Sequence, residues 1–447
     1  MDILEAITPI DGRNYQKLTS LVPYFSESAL NKYRVIIELK YLEQLARCGV
    51  VPSLTKKELD AIKHLIKSFG RKDHQEIKKI EDKINHDVKA VEYYLRAKFK
   101  KNGLERLLPY IHIGLTSEDV NNLSYSLILA EFKENILEKS LDGLLKQIKE
   151  LAVSNKNVAM LGRTHGQPAV PTTVGKEMAN YYHRLKKQQS KINSYRFEGK
   201  CNGAVGSFNA MQFVYPQIDW IKFSQDFVSS LGLVANLYVT QILFYDNWLE
   251  FFQIINLVNG ILLDFSINIW QYIMLEVFVQ KKAKDEVGSS TMPQKINPIT
   301  FEHAEGSLQL ANSYFDLFQR KLIVSRLQRD LSDSTVRRTF GNAFAYTILG
   351  WQSIGRGMSK ISVNKEHVRE ELNNHWEILA EAIQIYLRSK KDDKAYEKLK
   401  TLTQGKKITK KVYGEIIKAL GLDKEKKFSN LTPEKYVGLA VELVKKL

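Results

Sequence analysis

Apolar residues along this chain recur every three or four positions and do not alternate. Between Tyr125 and Leu151 they fall at Leu127, Leu129, Ala130, Phe132, Ile136, Leu137, Leu141, Leu144, Leu145, Ile148 and Leu151, the spacing of one helical face. Proline is absent from residues 110–167, 217–292 and 299–432, so long uninterrupted helices are predicted there. No segment shows the turn-bounded alternation of a half-buried strand. The predicted fold class is all-α, a three-part helical protein with a central long-helix bundle. Lys100-Lys101-Asn102-Gly103 and Pro109 mark the end of an N-terminal helical domain, residues 1–110. A central bundle domain then spans 111–350 and a shorter-period, Lys-rich C-terminal helical domain spans 351–447. The most apolar stretch, Ile254 to Ile273, carries Asn256, Asp264, Asn268 and Gln271 at helical spacing. A lipid-facing helix excludes such a stripe, so a buried bundle helix is predicted and no membrane partner.

Composition narrows the class further. With 447 residues, 44% hydrophobic and 26% charged, the chain is neither disordered, collagen-like nor a disulfide scaffold. Lys+Arg 66 against Asp+Glu 50 gives 66 − 50 = +16, which suggests anionic partners. The lysine pairs at 390–391 and 406–407 read as solvated faces, so nucleic acid is not the expected partner. Two cysteines, Cys48 and Cys201, make neither a disulfide framework nor a zinc site and favour a reducing compartment. The N-terminal MDILEAITPIDGR has no basic n-region or long apolar h-region, so a cytoplasmic location is expected. No Cys/His metal cluster, glycine-rich phosphate loop or dinucleotide fingerprint is present in the sequence; no metal and no cofactor are expected.

In a helical protein, chemistry concentrates where helices stop. Five interruptions stand out. Around Asn85-His86-Asp87, a helix begins that Asn85 or Asp87 would cap, with His86 at its start. Thr116-Ser117-Glu118-Asp119 fits a capping box whose hydroxyls and N–H groups suit a phosphate or carboxylate. In Gly162-Arg163-Thr164-His165-Gly166-Gln167-Pro168, glycines and prolines force a non-helical turn around a histidine suited to general acid or base work. Residues 281–298 lose helical periodicity and hold Lys295, as a lid over an anionic substrate would. Arg326, Arg329, Arg337 and Arg338 interleave with hydroxyls between 325 and 338, a pattern suited to phosphate or carboxylate. Together these fit acid–base chemistry on a multiply anionic small molecule. Taken singly, each is also compatible with an ordinary capped helix, a flexible loop or a salt-bridged helix pair.

The segment Gly288-Ser289-Ser290-Thr291-Met292-Pro293-Gln294-Lys295-Ile296-Asn297-Pro298 resembles the signature loop of the fumarase/aspartase superfamily. Thr116-Ser117-Glu118-Asp119 and Thr164-His165-Gly166-Gln167 resemble its other two blocks, in order. Thr8-Pro9-Ile10-Asp11-Gly12-Arg13, Asn85 through Tyr93, Gly203-Ala204-Val205-Gly206 and Ser325 through Arg338 resemble blocks of its adenylosuccinate lyase family, from about residue 7 to about 440. The resemblance implies β-elimination of fumarate from adenylosuccinate, giving AMP, and from SAICAR, giving AICAR. It implies a homotetramer with sites shared between subunits. It implies catalytic roles for His165, as general acid, and Ser289, as general base. It further implies substrate binding by Arg13, Asn14, Tyr15, Asn85, His86, Asp87, Thr116, Ser117, Gln241, Ser290, Lys295, Asn297, His303, Arg329, Ser334 and Arg338. Four places depart from the family pattern: Asn14, Gln294, His303, and Leu243-Phe244-Tyr245 where an acid-Pro-His stretch is usual. They bear on efficiency or substrate preference more than on reaction class. The alternatives are another fumarate-releasing lyase of the superfamily and a catalytically silent binding homologue.

Overall fold

The computed structural model describes residues 5–281, 292, 294–405 and 407–447. The chain is 67% helical, as the apolar periodicity predicts. The longest helices include Ser117–Phe132, Glu138–Ser154, Asp246–Met274, Ile299–Leu322 and Phe340–Met358. Helix starts are fixed by local chemistry, as at the Lys56–Ser68 helix. At Thr55 the backbone N–H donates to Glu58 at 2.8 Å while the Glu58 N–H donates to the Thr55 hydroxyl at 3.3 Å, a reciprocal cap that satisfies two orphan donors.

Contacts gather the chain into two compact units. One comprises residues 1–140, 189–260 and 307–349; the other comprises 141–188, 261–306 and 350–447. The first is centred on interlocked aromatic rings. Phe252 meets Phe315, Phe318, Phe340 and Phe344 with centroids 4.9–5.7 Å apart, and Phe132 meets Phe25 and Phe344 at 4.8 and 5.0 Å. The second has a core of Leu372, Trp376, Leu379, Ile383, Tyr413, Ile416 and Phe428, which also takes in Leu161.

Asp246–Met274 is long and apolar enough to cross a membrane, but its polar stripe is engaged by other helices. In the first unit Asn259, fully buried, donates to Thr347 at 3.0 Å and Asn256 donates to Asp316 at 3.1 Å. In the second, Arg184 pairs with Asp264 at 2.6 Å, and Asn268 donates to the same carboxylate. These bonds fit the bundle helix that the stripe predicts.

One expectation from the sequence is corrected. The second unit holds an antiparallel hairpin, β1 (Ala159–Thr164) with β2 (Gln167–Thr173), and shorter strand pairs join Glu198–Gly199 to Val234–Ala235 and Phe278–Gln280 to Ile361–Val363. The hairpin shows no alternation because its register shifts between Met160 and Gly162, and because Pro168 and Pro171 sit in β2. A two-stranded hairpin has only edges, where proline is tolerated. At Gly162 an added Cβ would lie 2.3 Å from the Val170 carbonyl oxygen, so the shift requires glycine.

Candidate active site

The cleft in the first unit starts from a buried carboxylate. Glu118, second residue of the Ser117–Phe132 helix, is 1% exposed. Arg337 donates to both of its oxygens at 3.0 Å, Arg329 lies 3.1 Å away and Asn121 donates at 2.9 Å. Burial alone would raise this carboxyl's pKa; Arg337 and then Arg329 overcome that and hold it at about 2. Arg34, from the Glu27–Arg47 helix, links the neighbouring parts: it donates to Asn121 at 3.0 Å and to Asp87 at 2.6 Å. Burial opposes ionisation of Asp87 too, and Arg34 again prevails, leaving its pKa lowered. Arg338 completes the chain, 3.4 Å from Asp87 and largely exposed.

These groups enclose a cavity of about 350 Å³. Of the residues expected from the sequence, Asn85, His86, Asp87, Ser117, Arg329, Ser334 and Arg338 line it together; Arg34, Asn121, Tyr125 and Arg337 line it as well. Four guanidiniums (Arg34, Arg329, Arg337, Arg338) face three carboxylates (Asp87, Glu118, Asp333). Glu81 also lines the cavity, so among the described residues of this cleft guanidiniums and carboxylates are equal in number; the two least buried arginines, 329 and 338, are best placed to meet an anion.

Local sequence explains how each wall is presented. Asn85 adopts left-handed geometry (φ 52°) and closes the Arg71–Ile84 helix. His86, extended, then caps the next helix, Asp87–Lys101: its Nδ1 accepts the Lys89 N–H at 3.1 Å. The cap is thus His86 itself, not Asn85 or Asp87 as the sequence suggested; Asp87 is already helical and accepts from the Val88 N–H. With Nδ1 occupied as acceptor, the neutral ring carries its proton on Nε2. The Thr116 box forms as expected, with the Thr116 N–H donating to Asp119 at 2.9 Å. Asp119, fully buried, also accepts from the Asn202 and Gly203 N–H groups at 3.1 Å and pairs with Lys200 at 3.0 Å. The helix start is thereby tied to the segment leading into Gly203-Ala204-Val205-Gly206. Gln241 donates to the Ala204 carbonyl and accepts from Arg329, both at 3.1 Å.

Thr116 stands beside this cavity's Ser117 without lining it. The Thr8–Arg13 block forms a turn in which the Thr8 hydroxyl donates to Asp11 at 2.9 Å, leaving Arg13 exposed. Asn14 precedes the short Tyr15–Leu18 helix. Tyr15 lines a second cavity of about 400 Å³ that shares Arg338 with the first.

His165, Lys295, Asn297 and His303 belong to the second unit. His165 (φ 53°) and Gly166 (φ 74°) form the two-residue tip of the hairpin, and positive φ at both positions is the type I′ geometry that suits the twist of paired strands. The imidazole is exposed. Lys295 is exposed too; its N–H donates to the Met292 carbonyl at 3.0 Å. Gln280 ties down the intervening Ile296 carbonyl at 2.9 Å, and Asn297 precedes the Ile299–Leu322 helix that carries exposed His303. Ser289 and Ser290 lie outside the described residues.

Sequence reasoning gave Arg34 no role, though an arginine within an apolar helical face was a readable signal; it named Glu118 and Arg337 only within their motifs and did not assign them to the site. Apart from the cleft, His112 makes a buried pair that the sequence did not announce: its Nδ1 meets buried Glu38 at 2.5 Å with left-handed backbone (φ 62°). Burial would lower this imidazole's pKa; Glu38 outweighs it and raises it.

A family described as Lyase matches residues 12–310, and one described as Adenylosuccinate lyase C-terminal matches residues 325–437. Proteins named adenylosuccinate lyase from Legionella pneumophila (strain Corby), Haemophilus influenzae and Escherichia coli (strain K12) are 46%, 44% and 43% identical, covering 99%, 100% and 99% of this chain and 98%, 99% and 99% of their own. Among solved structures, a fumarate lyase from Mesorhizobium sp. BNC1 superposes with TM-score 0.77 at 18% identity, covering 96% of this chain and 97% of its own. The 3-carboxy-cis,cis-muconate lactonizing enzyme from Pseudomonas putida gives 0.76 at 18%, covering 96% of each chain; both share the fold. An arginine-rich cleft at a capped helix start, matched family regions over most of the chain and this identity over its full length place the protein in one group: the chain belongs to the adenylosuccinate lyase family of the fumarase/aspartase superfamily.

Proposed function

We propose that the chain cleaves adenylosuccinate to AMP and fumarate, and SAICAR to AICAR and fumarate, by β-elimination in purine nucleotide biosynthesis. Full-length similarity to adenylosuccinate lyases supports the reaction; the gathering of four arginines at one cleft, with Arg329 and Arg338 the least buried of them, is the observation in this chain that carries it. In our reading Arg329, Ser334 and Arg338 receive the nucleotide phosphate, with Tyr15 approaching from the adjoining cavity and exposed Arg13 beside it in sequence. Asn85, His86 and Asp87 form a further wall. Thr116, Ser117 and Gln241 receive the succinyl group.

The elimination removes a weakly acidic Cβ proton, breaks the C–N bond and returns a proton to the departing nitrogen. Ser289 takes the first proton and His165 supplies the second. Charge developing as the Cβ proton leaves is carried by the neighbouring carboxylate, which Lys295 and Asn297 hold, with Ser290 and His303 alongside. A serine base requires its alkoxide to be favoured by nearby cationic charge. The reading includes a homotetramer in which different copies complete one site.

Purified protein incubated with adenylosuccinate should release equal amounts of AMP and fumarate. Release of fumarate only from aspartate or argininosuccinate would replace the substrate assignment. Tight AMP binding with no fumarate from any of them would leave a binding protein.

A further inference from the structure

The stretch Leu243-Phe244-Tyr245 departs from the acid-Pro-His pattern that the family resemblance leads one to expect, and the proposed function gives it no role. In the structure Tyr245 is 3% exposed and lies directly behind the cleft. Its hydroxyl donates to Asp333. Its ring lies 5.7 Å from the Arg337 guanidinium, which the Tyr125 ring also meets at 5.3 Å. Trp248 packs against it with centroids 5.2 Å apart. Asp333 is poorly served otherwise: its Oδ2 is 3.4 Å from Arg337 and its buried Oδ1 has no hydrogen-bond partner.

Two buried acids therefore compete for one guanidinium. Glu118 holds Arg337 by two bonds of 3.0 Å; Asp333 holds it by one longer contact. The phenol satisfies Asp333 and keeps that competition in favour of Glu118. We infer that Tyr245 is a positioning residue that sets the cleft's affinity for anions: by occupying Asp333 it leaves Arg337 to Glu118, and so leaves Arg329 available to the substrate. Without the phenol, Asp333 draws on Arg337, Glu118 draws more heavily on Arg329, which it already meets at 3.1 Å, and Arg329 is less able to turn to the incoming anion.

The inference rests on the proposed function only for its kinetic arm. Two measurements on the full-length protein test it: the dissociation constant for inorganic phosphate by calorimetry, and KM and kcat on adenylosuccinate. Tyr245→Phe keeps the ring and removes the donor. It should weaken phosphate binding and raise KM, each by about tenfold, the loss of a modest hydrogen bond, with kcat within about twofold of wild type. Tyr245→His supplies a donor with a different ring and should return most of the affinity. In an Asp333→Asn background, Tyr245→Phe should have no further effect, because the competing charge is gone. Unchanged phosphate affinity and KM in Tyr245→Phe would overturn the inference. So would a full tenfold loss persisting in the Asp333→Asn background, which would assign the phenol to packing. Should wild type release no fumarate, the proposed function falls while the phosphate measurements still decide the role of Tyr245.

Discussion

The cleft of the first unit and the hairpin tip of the second place charged or titratable groups in opposite circumstances. In the cleft every named charge has a partner: Arg34 on Asp87, Arg337 on Glu118, Gln241 on Arg329. At the tip His165 is held only by backbone geometry, with its ring in solvent. The difference separates two demands of an elimination. Recognising an anion needs cations fixed in advance by a scaffold that tolerates no rearrangement. Moving a proton needs a group that reaches the reacting atom and is rebuilt by whatever closes around it. The first can be complete within one compact unit; the second, in our reading, is completed by other copies of the chain.

The sharpest break of that comparison is His165→Ala. It should lower kcat by roughly 10²–10⁴-fold with phosphate affinity and melting temperature near wild type, since the tip supports nothing else; kcat near wild type would take the acid role from this residue. Glu118→Ala attacks the scaffold instead. Removing one member of a buried ion pair leaves Arg337 without its main partner and should cost about 3–5 kcal/mol, read as a fall in melting temperature of several degrees together with weaker phosphate binding. An unchanged melting temperature would mean that the pair is not structural. Arg329→Ala should act between these: KM for the nucleotide rises about 10- to 100-fold, the worth of one charged hydrogen bond, with stability little altered. Equal KM values would remove it from the phosphate site.

Acid pH supplies the smallest and most diagnostic test. Glu118 has its folded pKa depressed from 4.5 to about 2. The stability it contributes is complete above about 4.5 and is lost as pH falls toward about 2. His112 runs the other way: its raised pKa contributes stability below its ordinary 6.5 that is lost as pH climbs through the higher folded value. Glu118→Gln should flatten the acid limb of the stability profile and His112→Gln the near-neutral one. Profiles with both limbs unchanged would show that neither pair is coupled to folding.

Much of this was legible in the sequence, for physical reasons. Proline-free runs with three- and four-residue apolar spacing gave the long helices. Glycine beside His165 announced its turn, and the Thr116–Asp119 spacing announced its cap. What escaped notice was buried charge. Arg34 and Glu118 occupy ordinary helical positions, and only a fold that joins residues 34, 87, 118 and 337 reveals their partnership. His86 escaped as a cap because imidazole is rarely the side chain that fills that place. The β1–β2 hairpin escaped because a bulge and two prolines erase the alternation by which strands are recognised.

The bond between Glu118 and Arg337 closes across 219 positions of chain, which has a consequence for biosynthesis. At about 5–20 residues per second on the ribosome, the acid emerges roughly 10–40 s before its counter-ion. During that interval the Ser117–Phe132 helix must either keep its second residue wet or bury it protonated. The nascent first unit therefore has no route to its final packing until translation has passed residue 337, and a chain truncated just short of that point should be recovered as a soluble but loosely structured species, or not at all.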